Sequence, residues 1–167
     1  MIGLLAIALG LWPMAAEANP IRVLEEAPGQ MVSQVREPVV DGEGRRWQVV
    51  AFQRRTPQGL QPLALRLVGF PGQVTFVRGE TLILEDALGD RWQAADDSVH
   101  IFTDADSPEP HIGQYRIGDL WTQLPDAIPL TLQVPTVAGT VLLSVGPGTV
   151  ADWKALARSM TDAESGG

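Results

Sequence analysis

Three acidic side chains between the chain's two histidines come closest to forming a chemical site. Asp104, Asp106 and Glu109 lie between His100 and His111, and carboxylate oxygens are ligands that calcium prefers. The stretch lacks the Asp-x-Asp-x-Asp-Gly order and the twelfth-position glutamate of an EF-hand loop, and two histidines eleven positions apart match no zinc motif. We predict a binding surface with no metal and no cofactor, and calcium binding is the alternative. Its residues are Asp104, Asp106, Glu109, His111 and Tyr115.

Sequence signatures of catalysis are weak. The nucleophile elbow of serine hydrolases reads Gly-x-Ser-x-Gly, and residues 142–146 (Leu-Leu-Ser-Val-Gly) contain only its later half. A glycosidase needs two carboxylates facing each other across a cleft, and the sequence neither supports nor excludes such a pair. We therefore predict that the protein is not an enzyme, with a hydrolase using dispersed carboxylates as an alternative.

The charge balance and the cysteine count narrow the partners and the chemistry. Twenty acidic residues against twelve basic ones give a net charge of −8, which repels nucleic acid and excludes it as a partner. The chain contains no cysteine. Disulfides, thiolate metal sites and thiol nucleophiles are therefore excluded, and the fold depends on burial and hydrogen bonding.

The first residues are typical of a cleavable export signal, although no lysine or arginine precedes Arg22. Residues 2–12 form an almost uninterrupted apolar run, and Ala16-Glu17-Ala18 fits the Ala-x-Ala cleavage pattern. A run of about 11 residues is shorter than the roughly 20 that cross a bilayer as a helix. We predict a signal peptide over residues 1–18 and a single exported domain over residues 19–167, without a transmembrane span in the mature form.

Short apolar stretches punctuated by proline and glycine predict an all-β domain, an antiparallel sandwich or barrel of short strands with one C-terminal α-helix. Residues 96–111 are predicted to form a surface loop, and residues 118–126 to hold one helical turn. The predicted strands cover residues 31–40, 45–54, 63–68, 74–77, 81–86, 91–94, 128–134 and 140–145.

The strand over residues 45–54 carries apolar side chains on both faces, which predicts a central, covered strand. Its start, Gly44-Arg45-Arg46-Trp47-Gln48, resembles Gly89-Asp90-Arg91-Trp92-Gln93. The similarity indicates either a short internal duplication or two ordinary strand starts after a glycine turn.

The C-terminal helix is predicted at about residues 149–160. Val150, Trp153, Ala157 and Met160 fall on one face of it. Its polar face mixes acids with bases, whereas a helix on a membrane surface has a basic polar face. We therefore predict that the apolar face docks against the sheet.

Several short motifs resemble a family of small exported cyanobacterial proteins of unknown function. They include residues 66–72 (Arg-Leu-Val-Gly-Phe-Pro-Gly), 101–104 (Ile-Phe-Thr-Asp), 113–115 (Gly-Gln-Tyr) and 128–132 (Ile-Pro-Leu-Thr-Leu), and the helix with Trp153. The resemblance implies a location in the periplasm or the thylakoid lumen of a photosynthetic host, and it brings no catalytic residues with it.

Our leading functional hypothesis is a non-enzymatic factor that binds or helps to assemble a membrane protein complex, for example a photosynthetic one. The alternative is a lipocalin-like β-barrel that holds a small apolar ligand. A filled core with an exposed apolar patch would favour the first hypothesis, and an unfilled apolar interior would favour the second. Paired carboxylates in a cleft would favour a hydrolase.

Overall fold

A computed structural model describes residues 21–101 and 106–165 of the chain. Helix α1 (Pro147–Ser165) follows the last strand, and short 3-10 helices cover Ser98–His100 and Gly118–Thr122. The strands are β1 (Arg22–Ala27), β2 (Gln30–Val40), β3 (Arg46–Thr56), β4 (Gly59–Leu60), β5 (Ala64–Val68), β6 (Leu82–Asp86), β7 (Arg91–Asp96), β8 (Ile112–Arg116), β9 (Leu130–Thr136) and β10 (Gly139–Val145).

The strands form one antiparallel sheet that does not close into a barrel. Their order is β1-β2-β3-β5-β8-β7-β6-β9-β10, and β4 pairs with β3. Strand β7 joins the two parts of the sheet, because most of it pairs with β6 while Ala95 and Asp96 pair with β8. This sandwich-like arrangement confirms the predicted all-β class with its C-terminal helix.

The strand order is symmetric about the β5–β8 pair, where the meander β2-β3-β5 meets the meander β6-β7-β8. Each meander begins with a similar hairpin. Asp41 and Asp86 each accept, through Oδ1, the backbone N–H groups two and four residues ahead. Gly44 and Gly89 complete the turns with φ of 80° and 92°, a region that favours glycine. The similar sequence segments are therefore the same hairpin at equivalent places in the order.

One contiguous core lies between the two parts of the sheet and α1. Because successive strand residues point to opposite faces, Trp47, Val49 and Ala51 of β3 all turn inward and are buried. Leu130 and Leu132 of β9 enter the same core from the other part of the sheet. These side chains occupy the interior that a lipocalin-like barrel would leave for a ligand.

Helix α1 docks on the sheet through the predicted face, since Val150, Trp153, Ala157 and Met160 are all buried. Lys154 is buried beside them, and its Nζ donates to the Leu124 carbonyl and to Asp126 Oδ1, both at 2.6 Å. The helix begins at Pro147 and ends at Ser165. Among residues 21–101 and 106–165, the helices are too short or too polar to span a bilayer.

The prediction of a strand over residues 74–77 is wrong. Only an isolated bridge between Phe76 and Thr136 forms there, and the Phe76 N–H donates to the Pro110 carbonyl at 2.9 Å. The Phe76 ring lies so close to Gly113 of β8 that a Cβ on that glycine would come within 2.5 Å of it. The segment is therefore held in place by packing of the Phe76 ring against the β8 backbone and not by the hydrogen bonds of a β-strand pair.

Candidate binding groove

A second apolar cluster lies on the outer face of the sheet, turned away from the core. It consists of Val32, Val50, Phe52 and Ala64. Phe52 faces outward because its strand neighbour Ala51 faces the core. Strand β3 thus carries apolar side chains on both faces, as the sequence pattern predicts.

Two arginines cover Phe52. The guanidinium carbon of Arg54 lies 4.9 Å from the centroid of the ring, and that of Arg66 lies 5.0 Å from it. The register brings them there, because Phe52 pairs with Ala64 and the next outward position of β5 is Arg66. Cation–π attraction and the apolar stems of the arginines favour this arrangement. Phe52 is consequently only 5% exposed.

A groove of about 1090 Å³ crosses this outer face. The residues of its central part include Phe52, Ala64 and Arg66, and Gln30 near the β1–β2 turn lines one end. His100 of the first 3-10 helix lines the other end. The groove therefore spans the outer side of β1, β2, β3, β5 and β8, and three arginines and four glutamines are among the residues that line it.

Two of the three arginines that line the groove are neutralised by carboxylates. Arg54 Nε lies 2.8 Å from Glu26 Oε2, and Arg116 Nη2 lies 2.7 Å from Asp97 Oδ1. Burial alone would raise the pKa of Glu26, but the hydrogen bond and the charge of Arg54 outweigh it and lower the pKa. Burial also opposes ionisation of Asp97, whose pKa is lowered on balance by hydrogen bonds that include the one from Arg116.

Arg66 has a different environment. Its Nη2 and Nε both donate to Gln114 Oε1, at 2.8 and 3.3 Å, and Gln114 is its direct cross-strand neighbour. No carboxylate of the described residues lies within ion-pair distance of its guanidinium. Burial and the positive charges of Arg54 and Arg36 lower the pKa of Arg66, and the negative charge of Glu26 acts in the opposite direction. The groove thus holds a partly buried cation oriented by a neutral amide.

The predicted binding residues do not converge on one site. Asp104 lies outside the described residues, and Asp106 is exposed. Glu109 Oε2 lies 3.2 Å from His111 Nε2, so these two side chains do meet. Tyr115 points into the core instead, and burial raises the pKa of its hydroxyl. A binding role for these residues stays a prediction.

The loop predicted from the sequence contributes two residues to the groove, but the sequence did not predict the groove itself. Asp97 and His100, from the loop predicted over residues 96–111, line the groove. The arginines were missed because Arg54, Arg66 and Arg116 are far apart in the chain and meet only through β3-β5-β8 pairing. The sequence feature that could have indicated the groove is an arginine at an outward-facing strand position, next to apolar residues that also face outward.

The fold and the groove define an open, sandwich-like β-protein with an arginine-lined surface site. Within residues 21–101 and 106–165, no three potential metal ligands of the His, Asp and Glu types cluster together. The chain belongs to the family described as Protein of unknown function (DUF3122), whose model matches residues 19–156. No curated protein and no solved structure matches the chain.

Proposed function

We propose that this protein is a non-enzymatic binding protein that helps to assemble a membrane protein complex, and that the arginine-lined groove is its binding surface. The observation that carries the proposal is the guanidinium of Arg66, which lies over Phe52 without a carboxylate partner among the described residues. Arg54 and Arg116, in contrast, each form an ion pair with a carboxylate, Glu26 and Asp97 respectively. Arg66 has no such direct ion pair among the described residues and feels Glu26 only beyond ion-pair distance, which leaves its guanidinium able to bind an anionic ligand.

The proposed location is the periplasm or the thylakoid lumen. The apolar run and the Ala-x-Ala pattern in residues 1–18 support export, and the resemblance to exported cyanobacterial proteins supports the same compartments. A protein exported there works beside a membrane, which supports a membrane complex, for example a photosynthetic one, as its partner.

The lipocalin-like alternative has less support. A small apolar ligand needs an apolar cavity, but the interior is occupied by one contiguous set of core side chains. On the outer face, the guanidinium groups of Arg54 and Arg66 cover the Phe52 ring. The groove therefore offers a ligand guanidinium groups beside its apolar area.

An affinity pull-down from gently solubilised membranes of the source organism tests this function. The tagged protein is compared with Arg66→Gln and with Arg46→Gln, which removes an equal charge from an exposed position outside the groove. We expect the wild type and Arg46→Gln to retain the same membrane-complex subunits and Arg66→Gln to lose them. A bound small molecule without protein subunits would overturn the assembly function, and equal recovery by Arg66→Gln would remove the groove from it.

A further inference from the structure

Positively charged side chains outnumber negatively charged ones along the groove. Three guanidinium groups, those of Arg54, Arg66 and Arg116, face two carboxylates, those of Glu26 and Asp97. Three positive charges minus two negative ones leave one positive charge, in a chain whose net charge is −8. The charge of Arg36 also acts on Arg66, so the groove is complementary to an anionic ligand.

The donors of Arg66 specify the geometry of that ligand. Nε and Nη2 share one acceptor, Gln114 Oε1. Within the described part of the chain, Nη1 has no hydrogen-bond partner. The Nη1–Nη2 edge of a guanidinium matches the two oxygens of a carboxylate in a bidentate pair. The free edge of Arg66 is thus suited to a carboxylate.

The neighbouring acids disfavour a more highly charged anion. Glu26 and Asp97 line the same groove and remain ionised, because the arginines and other hydrogen-bond donors lower the pKa of each carboxyl group. A phosphate dianion would bring a second negative charge beside them, at a cost in Coulomb repulsion. A carboxylate brings a single negative charge, so this repulsion is smaller.

The size and lining of the groove indicate what is attached to the carboxylate. About 1090 Å³ is far more than one carboxylate occupies. Gln30, Gln58 and Gln61 line the rest; a glutamine amide carries donors and an acceptor, and Gln30 already donates from Nε2 to Glu26 Oε2 at 3.0 Å. The C=O groups of a peptide backbone can accept from the NH₂ groups of such amides, and its N–H groups can donate to their oxygens.

We propose that the groove binds a segment of a partner protein that carries an Asp or Glu side chain. Its carboxylate binds the Nη1–Nη2 edge of Arg66, and its peptide groups bind the glutamine amides. This inference rests on the proposed function and deepens it, since it states the chemistry by which the partner is recognised.

Selection from a phage-displayed library of random heptapeptides tests the inference without knowledge of the partner. The purified wild-type protein is used for selection, and Arg66→Gln, Arg66→Lys and Arg46→Gln are compared with it. We expect the selected peptides to share an Asp or Glu at a fixed position. Replacing that acid by its amide, or Arg66 by Gln, should weaken binding at least about tenfold, while Arg46→Gln should bind within about twofold of the wild type.

Two features keep the test decisive if Arg66→Gln does not fold. Arg66→Lys keeps the charge and an apolar stem over Phe52 but loses the planar fork, so we expect an intermediate loss of affinity. The acid-to-amide change in the peptide leaves the protein untouched, and thermal unfolding of each variant reports whether its fold is intact.

Three results would overturn the inference: no enrichment of an acid, peptide binding that does not depend on Arg66, or inorganic phosphate that binds more tightly than the selected peptides. Failure here is distinct from failure of the proposed function. If the pull-down recovers a membrane complex while the selection finds no acid, the assembly function stands and the recognition chemistry is wrong. If the selection succeeds while the pull-down recovers no complex, the peptide site stands without that function.

Discussion

Arg66 and Gln114 face each other across the β5–β8 pair, and the arginine donates two hydrogen bonds to one oxygen of the glutamine, Oε1. The amide fixes the direction of the guanidinium but does not cancel its charge. Gln114 is in turn held by Asp97, whose Oδ2 lies 3.2 Å from Nε2. The result is a preorganised cation at the centre of a groove, which lowers the ordering cost of binding an anion.

The first prediction concerns Gln114→Leu, which preserves the approximate volume of the side chain and removes the acceptor for Arg66. We expect the affinity for a selected acidic peptide to fall about fivefold to tenfold, because the guanidinium keeps its charge but loses its orientation. Fluorescence anisotropy measures this, with Gln93→Leu, at an exposed position of β7, as the control. Tighter binding by Gln114→Leu would mean that the glutamine competes with the ligand.

The second prediction compares the aspartates of the two similar hairpins. Asp41 Oδ2 accepts from Arg45 Nε at 2.7 Å and from Trp47 Nε1 at 2.9 Å. In Asp41→Asn an amide nitrogen would meet those donors, so we expect the free energy of unfolding to fall by about 2 kcal/mol. Asp86→Asn keeps the oxygen that accepts from the turn amides. Among the described residues no side chain donates to Asp86, so the loss for Asp86→Asn should be smaller. Urea unfolding measures both, and equal losses would contradict this account of Oδ2.

The third prediction is the pH dependence that follows from Asp41. Burial alone would raise its pKa, but hydrogen bonds from Trp47, from Arg45 and from two backbone amides lower it from 3.8 to about 2. A carboxyl group whose pKa is lower in the folded state stabilises the fold above the unfolded pKa, and loses that contribution as the pH falls through the folded pKa. The stability difference between wild type and Asp41→Asn should therefore shrink from about pH 4 towards pH 2. A difference that is constant over that range in urea unfolding would exclude this linkage.

The fourth prediction concerns Lys154, whose side chain is 5% exposed. Lys154→Met removes its bonds to the Leu124 carbonyl and to Asp126, and we expect a loss of about 1–3 kcal/mol in the free energy of unfolding. Asp126 is 81% exposed, so Asp126→Asn leaves the bond to the carbonyl intact and should cost less. Chemical denaturation distinguishes the two, and a larger loss for Asp126→Asn would show that the exposed ion pair holds the helix.

Much of the fold was predictable because its strands are bounded by turn residues and alternate in hydrophobicity. The glycine turns at Gly44 and Gly89 made both similar hairpins recognisable. Strand β1 was missed because all six of its residues are exposed, so burial imposes no pattern on them. The segment around Phe76 reads as a strand but is held by packing against Gly113, a contact between distant parts of the chain that no local pattern records.

The groove was much less predictable than the strands. Apolar side chains on both faces of β3 predict that both faces are covered, and this holds for Phe52. The cover on its outer face consists of arginine side chains from β3 and β5. That arrangement depends on strand register, since Arg66 lies opposite Val50 and Gln114. A shift of one residue would turn Arg66 inward, and the sequence alone did not fix the pairing partner of β5.

The measurement that tests the central claim most directly is an NMR titration of the arginine Nε–Hε resonances. The probe is N-acetylglutamate N-methylamide, which carries one carboxylate between two peptide groups. We expect saturable shifts of the Arg66 Nε–Hε and Gln114 side-chain amide resonances, with Arg46 unchanged. If Arg66 does not shift, or if Arg46 shifts equally, the groove is not an anion-binding site.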